Sequence, residues 1–296
     1  MACYTPLDAW KGPNGITFDQ KAGYYDMPLH LACGQCIGCR KDRLAGWTIR
    51  ALHEAQMHEE SCFLTLTYND ANLPADRSLD VAHWQRFAKR LRKAQGPFRF
   101  LHCGEYGGQN HRPHYHALIF GKAFYKDSIE VKGKNGPFRV SESLTKLWPF
   151  GYHAIGELNY TTARYVASYT IDKLSGEKQE AALERVDPLT GETWCVSPEY
   201  ATMSRRPGLG KSWFEKYAGD VYPDNFVIIN GRKMKPPSYY DKLLEEQDPQ
   251  LHSKMKEQRK REIRKNAKHN THERLKVREK VAHARLNHRR TPKGLD

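Results

Sequence analysis

With 296 residues, 39% of them hydrophobic, the chain is long enough to bury a real core, as one domain with extra parts or as two small ones. Its net charge of +14 is unevenly placed: residues 251–296 hold 16 Lys/Arg against 5 Asp/Glu, an arm suited to a polyanion. No apolar run approaches the roughly 18 residues of a membrane helix, and MACYTPLDAW has no signal-peptide core. Seven cysteines, an odd number, point to reduced thiols in a cytoplasm rather than disulfides. A solvated tail without a partner is the alternative for the arm. Nucleic acid is favoured because basic and aromatic residues also mix within the body of the chain.

Residues 40–59 carry Leu44, Trp47, Ala51 and Ala55 at helical spacing. CFLTLTY, 62–68, alternates as a strand does. Residues 80–95 form a helix with Val81, Trp84, Phe87, Ala88 and Leu91 on one side and Arg86, Lys89, Arg90 and Lys93 elsewhere. Asp80 is its N-cap and Gly96-Pro97 its stop. FRFLHCGEY, 98–106, and HYHALIF, 114–120, are strands joined by the turn-like GGQNHRP. Residues 122–140 read as a surface excursion, 141–148 as a short helix, 151–158 as a strand and 161–174 as a helix.

The order from 62 to 158 is β-α-β-β-α-β, so the fold class is α+β. It is the ferredoxin-like arrangement, an antiparallel sheet with two helices on one face, followed here by one more helix. Beyond 175 the signal weakens, although NFVIINGRKM, 225–234, reads as a hairpin around Asn230-Gly231. From about 250 the chain is charged helix or disorder. The expected division is 1–60, a cysteine-containing segment and helix; 61–175, the sheet domain; 176–245, an accessory extension; and 246–296, the basic tail.

Residues i and i+2 of a strand share a face, so His114 and His116 project together. Imidazole is the commonest protein metal ligand. Folding back the GGQNHRP turn brings Glu105 beside them and adds a hard oxygen donor. Two imidazoles and a carboxylate with open positions suit a catalytic ion. The alternative is the polar face of an edge hairpin. His102 and His111 read as bystanders.

Tyr165 and Tyr169 are i and i+4 on one helix, and Lys173 continues the row. Ala163, Val166, Ala167, Thr170 and Leu174 form a separate stripe for packing. Two phenols outside that stripe look like paired nucleophiles, whose pKa of about 10 requires a nearby cation to favour ionisation. Two exposed structural tyrosines are the alternative.

Cys33, Cys36 and Cys39 form C-x2-C-x2-C, with Cys3 or His30 available as a fourth ligand. The spacing suits a structural zinc; an iron–sulfur cluster and plain thiols are the other readings. Cys62, Cys103 and Cys195 read as packing residues. SRRPGLGKSW resembles the end of a Walker A loop, but G-x4-G-K-S requires glycine where Arg205 stands, so an NTPase is rejected. Arg205, Arg206 and Lys211 are phosphate contacts or an exposed basic turn.

Taken in order, CGQCIGCR, HEAQMH, CFLTLTY, GEYG, RPHYH, RYVASY, SRRPGLG and PPSYYDKL resemble a HUH endonuclease of the rolling-circle type. The match is close to replication initiators of microviruses of the gokushovirus branch. The resemblance implies Glu105, His114 and His116 as ligands of Mg²⁺ or Mn²⁺, and Tyr165 and Tyr169 as nucleophiles. Such proteins usually place an accessory lysine in a Lys-rich ending; TIDKL has only Lys173, preceded by Asp172. The implied activity is origin nicking with a 5′-phosphotyrosine link, a 3′-OH for synthesis, and later recircularisation. Implied partners are single-stranded and supercoiled double-stranded origin DNA, a host helicase and a DNA polymerase, in the cytoplasm of the bacterial host and away from membranes. The rival readings are a HUH transposase or relaxase, and a non-catalytic module of RNA-recognition type.

Overall fold

The N-terminal residues, which show no clear periodicity in sequence, fold into strands β1 (Leu7–Gly12), β2 (Gly15–Thr17) and β3 (Pro28–Leu31), paired antiparallel in the order β2-β1-β3. The computed structural model describes residues 3–108, 110–133, 136–171, 183–186 and 190–290. Helix α1 (Ile37–Ala55) follows, close to the span expected from its apolar spacing. Residues up to 45 together with those from 241 onward make one compact unit, and residues 46–240 make another.

The larger unit is built on β4 (Ser61–Tyr68), α2 (Val81–Gln95), β5 (Arg99–Tyr106) and β6 (Pro113–Phe120). Asp80 caps α2 by accepting from the Ala82 amide at 2.7 Å, and Gly96 ends it at φ 83°. Both caps stand where the sequence places them. Next come β7 (Ser128–Gly133), β8 (Gly136–Ser141), α3 (Glu142–Leu147), β9 (Gly151–Gly156) and α4 (Tyr160–Ser168). Residues 122–140 are therefore not a loose excursion. Their polar β-branched runs pair as a hairpin and extend the sheet.

Beyond them lie β10 (Glu184–Val186), β11 (Thr193–Cys195), β12 (Tyr200–Met203), α5 (Lys211–Val221) and the pair β13 (Val227–Ile229) and β14 (Arg232–Met234). Asn230 and Gly231 turn that last hairpin at φ 48° and 72°, the left-handed conformation a two-residue turn demands. The C-terminal arm is helical: α6 (Ser238–Gln247), α7 (Pro249–Lys265) and α8 (His272–Arg290). None of the described helices is long and apolar enough to cross a membrane.

Seven strands form an antiparallel sheet in the order β12-β5-β6-β4-β9-β8-β7. The alternation of β4 sets its two faces. Leu64, Leu66 and Tyr68 pack with Trp84, Phe87 and Leu91 of α2 and Leu144 of α3. Phe63 faces the other way, toward Leu101, Cys103, Leu118, Ala51 of α1, and Ala163 and Val166 of α4. Each fully buried Leu or Phe here contributes about 1.5–3 kcal/mol. β12 joins beside β5, with Tyr200 opposite Gly104. A Cβ on Gly104 would lie 2.8 Å from the Tyr200 ring, so glycine permits that approach.

Candidate active site

Register brings the first three side chains together. Glu105 lies directly across from His114, and His116 pairs with Thr65 on its other side. All three point to the α4 face of the sheet. Glu105 is only 4% exposed. Its Oε1 accepts from His114 Nε2 at 2.6 Å and His116 Nε2 at 2.9 Å.

α4 supplies the phenols. Asn159 caps the helix by accepting from the Thr161 and Thr162 amides, while the Thr162 hydroxyl accepts from the Asn159 amide. Ala163, Val166 and Ala167 are buried, which turns Tyr165 toward the hairpin. Its hydroxyl donates to Glu105 Oε1 at 2.6 Å and lies 3.5 Å from His116 Nε2. Tyr169 donates to the Tyr165 oxygen at 3.1 Å.

Two expectations about this helix are corrected. It ends at Ser168 rather than 174, where the Ser168 and Thr170 hydroxyls take the Tyr165 and Ala167 carbonyls at 2.6 and 2.7 Å. Tyr169 is not apart from the packing surface, because its ring rests partly on the core. Lys173 and Leu174 lie outside the described residues.

The electrostatics follow from one shared oxygen. Burial raises the Glu105 pKa, but the hydrogen bonds from His114, His116 and Tyr165 outweigh it and hold the carboxyl at about 2. His114 also bonds the Arg112 carbonyl through Nδ1 at 3.0 Å. Burial lowers its pKa, and these two acceptors reverse that, leaving it raised. His116 is lowered, mainly by burial. Tyr165 is raised, by burial first and then by its bond to Glu105.

The residues fit a divalent cation. The donor atoms of Glu105, His114 and His116 all lie within 4.8 Å of one another. Glu105 Oε2 is buried with no hydrogen-bond partner, an orphaned charge-bearing oxygen that a cation would satisfy. The imidazoles are braced from behind, His114 by the Arg112 carbonyl and His116 by Thr65 Oγ1 at 2.9 Å. Such partners orient metal-binding histidines. Phe63 stacks on His116 with ring centroids 5.3 Å apart. Sequence reading missed Thr65, Phe63 and Asn159. The alternation of CFLTLTY contained the first two, but only the β4–β6 register assigns them to His116.

His102 is a bystander, as expected: it is fully buried on the opposite face, stacked on Trp84 at 3.8 Å. His111 sits exposed in the turn at φ 47°. Arg205 and Arg206 are exposed, and Lys211 lies 3.6 Å from Glu215. The Gly210 amide donates to the Glu54 carboxylate at 2.7 Å, and Glu54 also pairs with Arg99. A carboxylate thus occupies an amide that a Walker loop would direct at phosphate.

The cysteines form a second group. Sγ of Cys33 and Cys39, and of Cys36 and Cys3, are 4.0 Å apart, and all four sulfurs lie within 4.8 Å of one another. Tetrahedral Zn–S bonds of about 2.3 Å imply S···S separations near 3.8 Å. The Tyr4 and Cys36 amides and the Thr5 hydroxyl donate to these sulfurs at 3.2–3.3 Å. Burial raises the Cys33 pKa, yet these donors bring it down to about 6. His30 is engaged elsewhere, with Asp8 at 2.8 Å. Cys62 and Cys103 are buried as expected, whereas Cys195 is exposed on a short edge pair and packs nothing.

A family profile for Replication-associated protein ORF2 matches residues 61–174, from β4 through α4. The chain is also 30% identical over 272 residues to Replication-associated protein ORF2 of Spiroplasma virus 4, across 83% of this chain and 81% of that one. The chain belongs to this family of small single-stranded-DNA phages. Replication-associated protein VP4 of Bdellovibrio phage phiMH2K is 29% identical over 266 residues, covering 84% of this chain and 79% of its own. Replication-associated protein ORF4 of Chlamydia phage 1 is 29% identical over 248 residues, 77% of this chain and 57% of the relative. No solved structure matches. Within this replication-associated protein, the family match encloses Glu105, His114, His116, Tyr165 and Tyr169, and excludes all four clustered cysteines.

Proposed function

We propose that this phage replication-associated protein is a HUH-type endonuclease and strand-joining enzyme that nicks single-stranded origin DNA by tyrosine transesterification. The observation that carries the reading is the Tyr165 hydroxyl, 2.6 Å from the same Glu105 oxygen that His114 and His116 share. The strand order supports it too. β4 pairs with both β6 and β9, and β5 pairs with β6, which is the order a split β-α-β sheet of ferredoxin-like type requires.

Glu105, His114 and His116 would hold Mg²⁺ or Mn²⁺, which supplies charge stabilisation at a non-bridging oxygen of the scissile phosphate. The chain's own groups do the rest. As a donor to Glu105, the Tyr165 phenol is kept protonated and quiescent. In the reaction its oxygen forms a bond to phosphorus while the P–O3′ bond breaks. The phenolic proton ends on the departing 3′ oxygen, and the 5′ end stays on the enzyme as a phosphotyrosine. Tyr169, 3.1 Å away, is placed to cut the regenerated junction after a round of synthesis. The new 3′-OH then attacks the first phosphotyrosine and closes a circle. The covalent link conserves the phosphodiester energy, so joining needs no ATP. Lys173 is proposed as an accessory cation near the phosphate. A structural zinc on Cys3, Cys33, Cys36 and Cys39 would staple the N-terminal segment to the start of α1.

The basic C-terminal arm and the exposed Arg205 and Arg206 are proposed to add salt-dependent DNA affinity. Strand separation would fall to a host helicase and synthesis to a host polymerase. A non-catalytic RNA-recognition module is disfavoured, because no aromatic residue of β5 or β6 is exposed as a stacking platform.

The test uses single-stranded oligonucleotides tiled across the phage genome with Mn²⁺, resolved on a denaturing gel. A covalent adduct is expected with the wild type. Tyr165→Phe and Tyr169→Phe should each impair it and together abolish it. An adduct surviving in the double variant refutes the nucleophile assignment.

A further inference from the structure

The same sheet face that carries Thr65 and His116 continues along β4 to Ser61, four residues away and about 13 Å at strand rise. There the face opens into a cavity of about 380 Å³ between the end of α1, the first residue of β4, the residues before α4 and the β13–β14 hairpin. Leu52, Ala55, Leu158 and Ile229 wall it, and Ile228, 62% exposed, stands in its lining. Ser61 Oγ borders this cavity and is buried without a hydrogen-bond partner. An orphaned hydroxyl in a formed cavity needs a ligand that can donate to it or accept from it.

The chemistry of the lining narrows that ligand. It contains the Glu59 carboxylate and the side chains of Gln56 and Asn230, and no lysine or arginine. A phosphate would meet only like charge there. A flat, neutral heterocycle with an amino group suits the site better. Its faces would lie between the aliphatic walls, and its edge would reach Ser61 and Glu59. Bases taken out of a strand are held in this manner, by apolar faces and polar edge contacts, and carboxylates accept from exocyclic amino groups.

We infer that the Ser61 cavity is a subsite for one amino-bearing nucleobase of the substrate strand, lodged within a few nucleotides of the scissile phosphate. The inference rests on the nicking reading for its choice of ligand, and it would make the cavity a determinant of where the strand is cut. Ser61 and Glu59 are specificity residues in this assignment. They touch neither the metal ligands nor the tyrosines.

The experiment takes the oligonucleotide bound most tightly in the tiling series and replaces one base at a time with an abasic site. Affinity is read by fluorescence anisotropy without divalent metal, and adduct formation is read with Mn²⁺. One position is expected at which base removal weakens wild-type binding about tenfold, the discrimination of one good base contact. At that position alone, Ser61→Ala and Glu59→Gln should erase the difference between intact and abasic strands. Ser61→Ala removes an unpartnered hydroxyl, so its melting temperature should match or exceed that of the wild type and folding will not confuse the result. Equal sensitivity of variants and wild type at every position overturns the subsite. If the subsite fails while the adduct forms, the nicking reading survives. If no adduct forms but the position-specific loss vanishes in Ser61→Ala, the subsite survives and the nicking reading does not.

Discussion

The chain contains two groups of metal-ligand side chains among its described residues, and they are built in opposite ways. Glu105, His114 and His116 stand on two adjacent strands of a wide sheet, braced by Thr65 and the Arg112 carbonyl, with one carboxylate oxygen left unpartnered. The four cysteines come from a terminal segment, the loop after β3 and the first turn of α1, and their sulfurs close on one another. The first group is rigid without an ion and leaves coordination positions open, as chemistry requires. The second has little besides its own ligands to hold it together. An ion at the first would serve a reaction, and an ion at the second would serve the fold.

The largest expected effect breaks the comparison at its catalytic side. Glu105→Gln should cut adduct formation about a thousandfold while leaving the thermal melt nearly unchanged, since the strands around it are packed independently. An unchanged rate in this variant would show that the carboxylate has no part in the reaction. At the cysteine side the pattern should invert. Cys36→Ser should release zinc, counted as about one per chain in the wild type by elemental analysis, and cost several kcal/mol of stability in the N-terminal unit. A wild type purified without zinc, and a serine variant that melts like it, would make these plain thiols.

Thr65→Val probes the bracing of His116. The Mn²⁺ concentration needed for half-maximal adduct formation should rise about 10- to 100-fold, the usual cost of losing such a partner. A shift in maximal rate alone would mean that Thr65 does something other than orient the imidazole. The smallest effect sharpens the chemistry of the soft site. With the pKa of Cys33 at about 6, metal-free protein should alkylate there first among its seven cysteines. The rate should climb as pH rises through about 6 and level off above it, because the thiolate is the reactive form. Added zinc should suppress the reaction, and mass spectrometry of the modified peptide reads both.

How legible this was depended on distance along the chain. His114 and His116 share a face because a strand repeats every two residues, and Tyr165 and Tyr169 share one because a helix repeats about every 3.6. The step from Glu105 to His114 needed only a tight turn, which GGQNHRP advertises. The 122–140 hairpin went unread because its strands are half-exposed, and polar alternation there resembles loop composition. The end of α4 was overrun because Ser168 and Thr170 stop it through local hydroxyl bonds that hydrophobic periodicity does not register. β12, some hundred residues from its partner β5, shows no partner in its own four residues.

The sequence alone therefore determined the inventory: a basic arm, a carboxylate and two imidazoles on one hairpin, two phenols a turn apart, and three spaced thiols. Those follow from backbone geometry acting over a few residues. Only the tertiary structure decided that α4 lies over the β5–β6 face with Tyr165 on Glu105, that Cys3 rather than His30 completes the sulfur group, and that a cavity opens at Ser61. Docking of that kind is settled by apolar area buried between segments far apart in the chain. No short window of residues contains that sum.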